Sequence, residues 1–160
     1  MSHRPASTMI RQVLIAVLSL GAIHQTAVWP AVQSVFHVFL VLGVAPEFHS
    51  PLVGALWAAA AGWVLEGTLR MYPHMGGTAL ANMIVCLVAA WTLVQWPPLS
   101  SRHYWLRLAA FTVVHYFLVH GLVLVAAGIH AWGLDQAWAL ATVPLWGTLA
   151  FKLHLPHHRE

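Results

Sequence analysis

Charge is the scarcest commodity in this 160-residue sequence: 7% of residues are Asp, Glu, Lys or Arg, against roughly 25% in a soluble domain. A chain so poor in charge cannot coat a soluble globule, and a membrane class is expected instead. Cysteine is almost missing as well. With Cys86 alone, neither a disulfide framework nor a cysteine zinc site can be built, and its position in an apolar stretch assigns it to packing. The net charge of +3 and pI near 9.6 come without any run of Lys and Arg able to neutralise successive phosphates, which excludes nucleic acid as a partner. The sequence also lacks H-E-x-x-H, G-x-S-x-G, a phosphate loop and paired carboxylates, so no enzyme is expected.

Apolar residues are what the chain does contain, at 60%. A helix needs about 20 of them to cross a hydrocarbon core of roughly 30 Å. Pro, Gly, His and charge divide the sequence into apolar segments at about 9–28, 30–46, 51–69, 76–96, 105–128 and 134–153. The expected fold is all-α: a polytopic integral membrane protein of about six transmembrane helices, forming one domain over residues 1–160. Trp29-Pro30 and Pro46 to Pro51 read as tight turns, because proline can start a helix but cannot continue one. Asp135 is placed to cap the sixth helix. The first segment has no small-x-small cleavage site before the next, so it reads as a retained helix and not a secretory signal.

Six spans put both termini on one side. Arg4, Arg11, Arg102, Arg107, Lys152 and Arg159 fall on that side and Arg70 opposite, a bias that predicts cytoplasmic termini. Trp29, Trp96, Trp105 and Trp132 lie near segment ends, where indoles form an aromatic belt at the membrane interface, while Trp57, Trp63, Trp91, Trp138 and Trp146 lie deeper and read as lipid contact or helix packing.

Candidate functional residues gather in segments three and four. Gly54, Ala58, Gly62, Glu66 and Arg70 follow at four-residue steps. Small residues at this spacing let another helix come close, so the face is expected to pack inside the bundle or against a partner. Glu66, an acidic residue inside an apolar segment, needs a partner because an unpaired carboxylate there costs at least about 2.5 kcal/mol. Arg70 one turn on supplies a local one. Asn82 enters from the same surface that Glu66 leaves and is expected near it, bonded to a neighbouring helix. Twelve histidines raise the question of metal or haem. His115 and His120, five residues apart, are turned about 140° from each other. His154 and His158 straddle Pro156. His37, His115 and His120 fit axial ligation from separate helices, but hydrogen-bonded bundle histidines are the expectation, with no metal or cofactor.

The stretch PLVGALWAAAAGWVLEGTLRMYPHMGGTALANMIVCLVAAW resembles the central region of MreD, the rod shape-determining membrane protein of bacteria. There a Gly-rich helix ends in an acidic residue, and a glycine turn leads into an Ala-rich helix. Gly62, Glu66, Gly76, Gly77 and Ala79 to Ala81 carry the likeness, with Asn82 close behind; Glu66 stands where the family usually has Asp. The closing ALATVPLWGTLAFKL, with Pro144 inside it, is similar to that family's last helix. The resemblance, best over about residues 30–96, implies a noncatalytic inner-membrane component of the cell-elongation machinery. It would bind the single-span protein MreC and influence the peptidoglycan synthase complex and MreB filaments. It also implies a six-helix fold similar to the substrate-binding subunits of energy-coupling-factor vitamin transporters. A small-solute transporter subunit is thus the alternative, with Glu66, Arg70 and Asn82 as cavity lining. A haem- or pigment-binding subunit of a larger complex is a third reading.

Overall fold

A computed structural model describes residues 6–69, 76–98, 100–119 and 135–154. Helix α1 spans Ala6–Gln25, and α2 (Pro30–Val38) continues without a break through a π-helical turn, Phe39–Val44, into a 3-10 turn, Ala45–Glu47. Helices α3 (Pro51–Leu69), α4 (Gly77–Gln95) and α5 (Ser101–Val119) follow, and the chain closes with α6 (Asp135–Ala141) and α7 (Val143–His154). The described residues contain helices and turns and no strand.

Local chemistry explains the helix boundaries. Trp29 is non-helical, at φ −125° and ψ 83°, and Pro30 sits in the first turn of α2, where its missing N–H removes a donor that would have had no partner. Pro46 falls in the 3-10 turn that ends the second helical run. Gly76 precedes α4 at φ +108°, a left-handed conformation that glycine adopts without steric cost.

Two elements depart from expectation. The sixth apolar segment, read as one helix, is two helices. Thr142 N–H still reaches the Trp138 carbonyl at 3.0 Å, but Leu145 N–H turns back to Thr142 at 2.9 Å. Pro144 lacks a donor and its ring clashes with the carbonyl four residues back, so it opens a second helix. The fifth helix begins at Ser101, four residues before the expected 105, while the rest of that segment beyond Val119 lies outside the described residues.

The run 38–45 is buried all round and forms the central strut. The helices about it each bury one narrow stripe: Ala16 and Ile23 on α1, Ala55, Ala58 and Ala61 on α3, Ala81, Val85 and Ala89 on α4, Tyr104 and Leu108 on α5, and Trp146 and Ala150 on α7. Their opposite faces expose large apolar side chains, among them Ile10, Leu14 and Leu18, Leu52 and Trp63, Leu80 and Trp91, Leu106 and Phe117, and Leu145 and Leu149. Buried positions meanwhile include Gln33, His37, Glu66, Thr78, Asn82, Thr112 and His115. The interior is thus mostly apolar with a set of polar groups buried in it, while the outer faces are apolar as well. Among the described residues, two helical runs, 30–47 and 77–95, are long and apolar enough to cross a membrane.

Candidate functional site

The small-residue stripe of α3 is occupied within the chain. A Cβ added at Gly62 would lie 2.5 Å from the backbone nitrogen of Ala79 and 2.6 Å from its Cα, and one at Gly54 would collide with the carbonyl oxygen of Ala45. Ala58 between them is fully buried. Side chains at these positions would hold α3 away from α4 and from the 3-10 turn, so the approach depends on their absence.

That approach positions Glu66. Its Oε2 accepts from Gly76 N–H at 2.5 Å and its Oε1 from Thr78 N–H at 2.6 Å. The first N–H groups of a helix have no partner inside it, and the N-terminus carries a partial positive charge. A carboxylate there is paired without any cation. Arg70, expected as its partner, lies outside the described residues. The position of Glu66 at the end of α3 and the glycine turn into α4 together account for the geometry, with Gly76 and Gly77 both half-buried at the start of α4.

Asn82 does not join Glu66. It lies one turn beyond Thr78, about 6 Å deeper along α4, and there it links three other elements. Its amide nitrogen donates to the Ala58 carbonyl of α3 at 2.9 Å and lies 3.0 Å from Nε2 of His37 on α2, while its Oδ1 lies 2.7 Å from Nε2 of His115 on α5. The imidazole centroids are 5.3 Å apart, and all three side chains are at most 2% exposed. Because both Nε2 atoms face the same amide, this arrangement does not present them as an axial pair for haem. His120, His154 and His158 lie outside the described residues, and those residues contain no group of three His, Cys, Asp or Glu placed to hold a metal.

Polar links continue from this cluster. Gln33, one turn before His37, donates to the Ile23 carbonyl near the end of α1 and to Thr68 Oγ1 of α3, each at 3.0 Å. At the far end of α4, Arg107 of α5 donates to the carbonyls of Thr92 and Trp96. Helix α4 thus has an acidic side chain on its N-terminus and a basic one on its C-terminus, the sense its dipole favours. Arg107, counted above as a topology signal, also caps a helix.

Sequence reading singled out Asn82 but missed its union with His37 and His115. Polar residues repeat along the buried faces at helical spacing: Gln33 and His37, Thr78 and Asn82, Thr112 and His115. Those pairs are the signal that could have found it. Among the deeper tryptophans, Trp63, Trp91 and Trp138 are exposed on the apolar surface. Trp57 stacks on Phe48, and buried Trp146 donates to the Ala139 carbonyl at 2.9 Å.

Among the described residues, the fold and site define a helical bundle with hydrogen-bonded polar groups buried in an apolar core. Comparison with family models, curated proteins and solved structures finds no match to this chain.

Proposed function

We propose that this chain is a multi-pass inner-membrane protein of about six spans with cytoplasmic termini, acting without catalysis as an assembly subunit of the bacterial cell-elongation machinery. The observation that carries the membrane part is the apolar outer surface, which surrounds a core that itself holds buried polar groups. Apolar side chains on the outer faces of α1, α3, α4, α5 and α7 form far more continuous apolar surface than a soluble monomer presents to water. The assembly role follows from the likeness of residues 51–91 to the MreD family, and the proposed partner is an MreC-like single-span protein, with the peptidoglycan synthase complex and MreB further along.

Packing favours this reading over the solute-binding one. Glu66 is occupied by the backbone of α4 and Asn82 by two histidines and a carbonyl. Neither offers its polar atoms to a solute. Affinity purification of the tagged chain from native membranes tests the proposal. An MreC-like protein is expected in the eluate at a ratio near one; its absence under mild detergent, with the bundle intact, would remove the assembly role.

A further inference from the structure

Contacts at one end of the bundle gather basic residues that lie far apart in sequence. Gln12 of α1 donates to the Glu47 carbonyl at 2.9 Å, and Glu47 interacts electrostatically with Arg107 of α5. Tyr104, one turn before Arg107, has its ring 5.5 Å from that of Phe151 on α7. Arg11 and Lys152 are the chain neighbours of Gln12 and Phe151, and Arg102 lies in the first turn of α5, so all four Lys and Arg among the described residues stand at this end. Arg107 is engaged by the carbonyls that end α4, whereas Arg11, Arg102 and Lys152 are exposed. Glu47, the acidic residue described here, is half-buried and set against Arg107. The exposed formal charge described at this end is therefore positive.

Each exposed cation also sits at the end of an apolar stripe. Arg102 is followed by Leu106, Arg11 by Leu14 and Leu18, and Lys152 is preceded by Leu149 and Leu145, at spacings of three or four residues that share one side of a helix. All five leucines are exposed. Trp96, exposed and in ring contact with Trp91, follows α4 at the same end, and indoles favour the boundary between acyl chains and head groups. An acidic protein segment would match the charges and leave the stripes unused. A molecule with an anionic head and long apolar tails matches both. We infer that this end of the bundle is a binding surface for anionic phospholipids, with head-group phosphates on Arg11, Arg102 and Lys152 and acyl chains along the leucines beside them. The inference rests on the membrane reading of the chain and stands apart from its assembly role and from the identity of any partner protein.

The test is native mass spectrometry of the full-length chain, released from detergent micelles that hold equal amounts of phosphatidylglycerol and phosphatidylcholine with the same acyl chains. Phosphatidylglycerol should be retained over phosphatidylcholine by at least about fivefold, the increment that one basic residue supplies near an anionic surface. The preference should weaken as salt is raised, because exposed charges are screened. Combining Arg11→Gln, Arg102→Gln and Lys152→Gln should bring the ratio close to one, and each single change should lower it in part. Glycerol 3-phosphate and polyglutamate, anions without tails, should not displace the bound lipid at equal concentration. Equal retention of the two lipids by the wild-type chain, or a ratio unchanged in the triple variant, would overturn the inference. Displacement by glycerol 3-phosphate or polyglutamate would overturn it too, in favour of a general anion or acidic-protein surface. Recovery of the chain as a soluble protein without detergent would instead overturn the membrane reading itself. The wild-type ratio and its salt dependence remain decisive if the triple variant fails to fold.

Discussion

At the residue scale, Glu66 and Asn82 show how a buried polar side chain is tolerated in an apolar bundle. Glu66 faces two N–H groups that α4 cannot satisfy itself, so removing it orphans donors on another helix. Glu66→Ala is expected to cost about 1–3 kcal/mol, read as a lower midpoint in denaturant unfolding of the purified chain. Glu66→Gln should fall between, since its amide retains one acceptor. If Arg70→Ala destabilised the protein as much as Glu66→Ala, the carboxylate would depend on the arginine and not on the helix end. Asn82 carries three bonds to three elements. Asn82→Leu, close in volume, should cost more than Asn82→Asp, which keeps two acceptors, although Asp loses the donor to Ala58. An unfolding series that ranked Leu above Asp would mean the polar contacts contribute less than packing does.

The element scale is set by α3 against α4. Helices in an apolar solvent gain nothing from hiding apolar surface, so they depend on close backbone approach and interhelical hydrogen bonds. Gly62 tests the approach, because any side chain must displace the backbone of Ala79. Gly67, on the same helix, has nothing within 4 Å of an added Cβ. Gly62→Ala should destabilise by about 1–3 kcal/mol through overpacking, while Gly67→Ala should be neutral or stabilise by up to about 1 kcal/mol through helix propensity. Thermal aggregation midpoints in one detergent would compare the two, and equal effects would remove the argument for close approach. Arg107 belongs at this scale too, since it ties α5 to the end of α4 through the Thr92 and Trp96 carbonyls.

For the whole molecule, the proposed topology makes a prediction that does not depend on any single contact. On that proposal, six basic residues against one would put the 97–104 connection in the cytoplasm and the 70–76 connection outside. In intact cells, a cysteine in a Cys86→Ala background should be protected from an impermeant thiol reagent at Ser101→Cys and labelled at His74→Cys. The reverse pattern would invert the protein and put the α4 N-terminus, with Glu66 on it, at the cytoplasmic surface. Equal labelling at both positions would argue against a spanning α4 altogether.

Much of the architecture was legible in advance because it rests on local causes. Scarcity of charge, apolar segments and the stops at Pro30, Pro46 and Pro51 belong to residues next to one another, and these determined the helical character of the described residues and most helix starts. The four-residue spacing of Gly54, Ala58 and Gly62 likewise marked a packing face. Its neighbour was less certain, because spacing describes one helix and contact needs two. What tertiary structure alone decided were the partners: the Glu66 carboxylate also binds the α4 backbone, and an amide read toward Glu66 joins two histidines 45 and 33 residues away in sequence. The break at Pro144 also required the fold, since a proline can kink a helix or restart it depending on what packs beside it. The physical reason is shared by all three. Which donor meets which acceptor depends on the rotation and depth of each helix, and a turn of 100° per residue lets small differences in phase reassign every cross-helix bond.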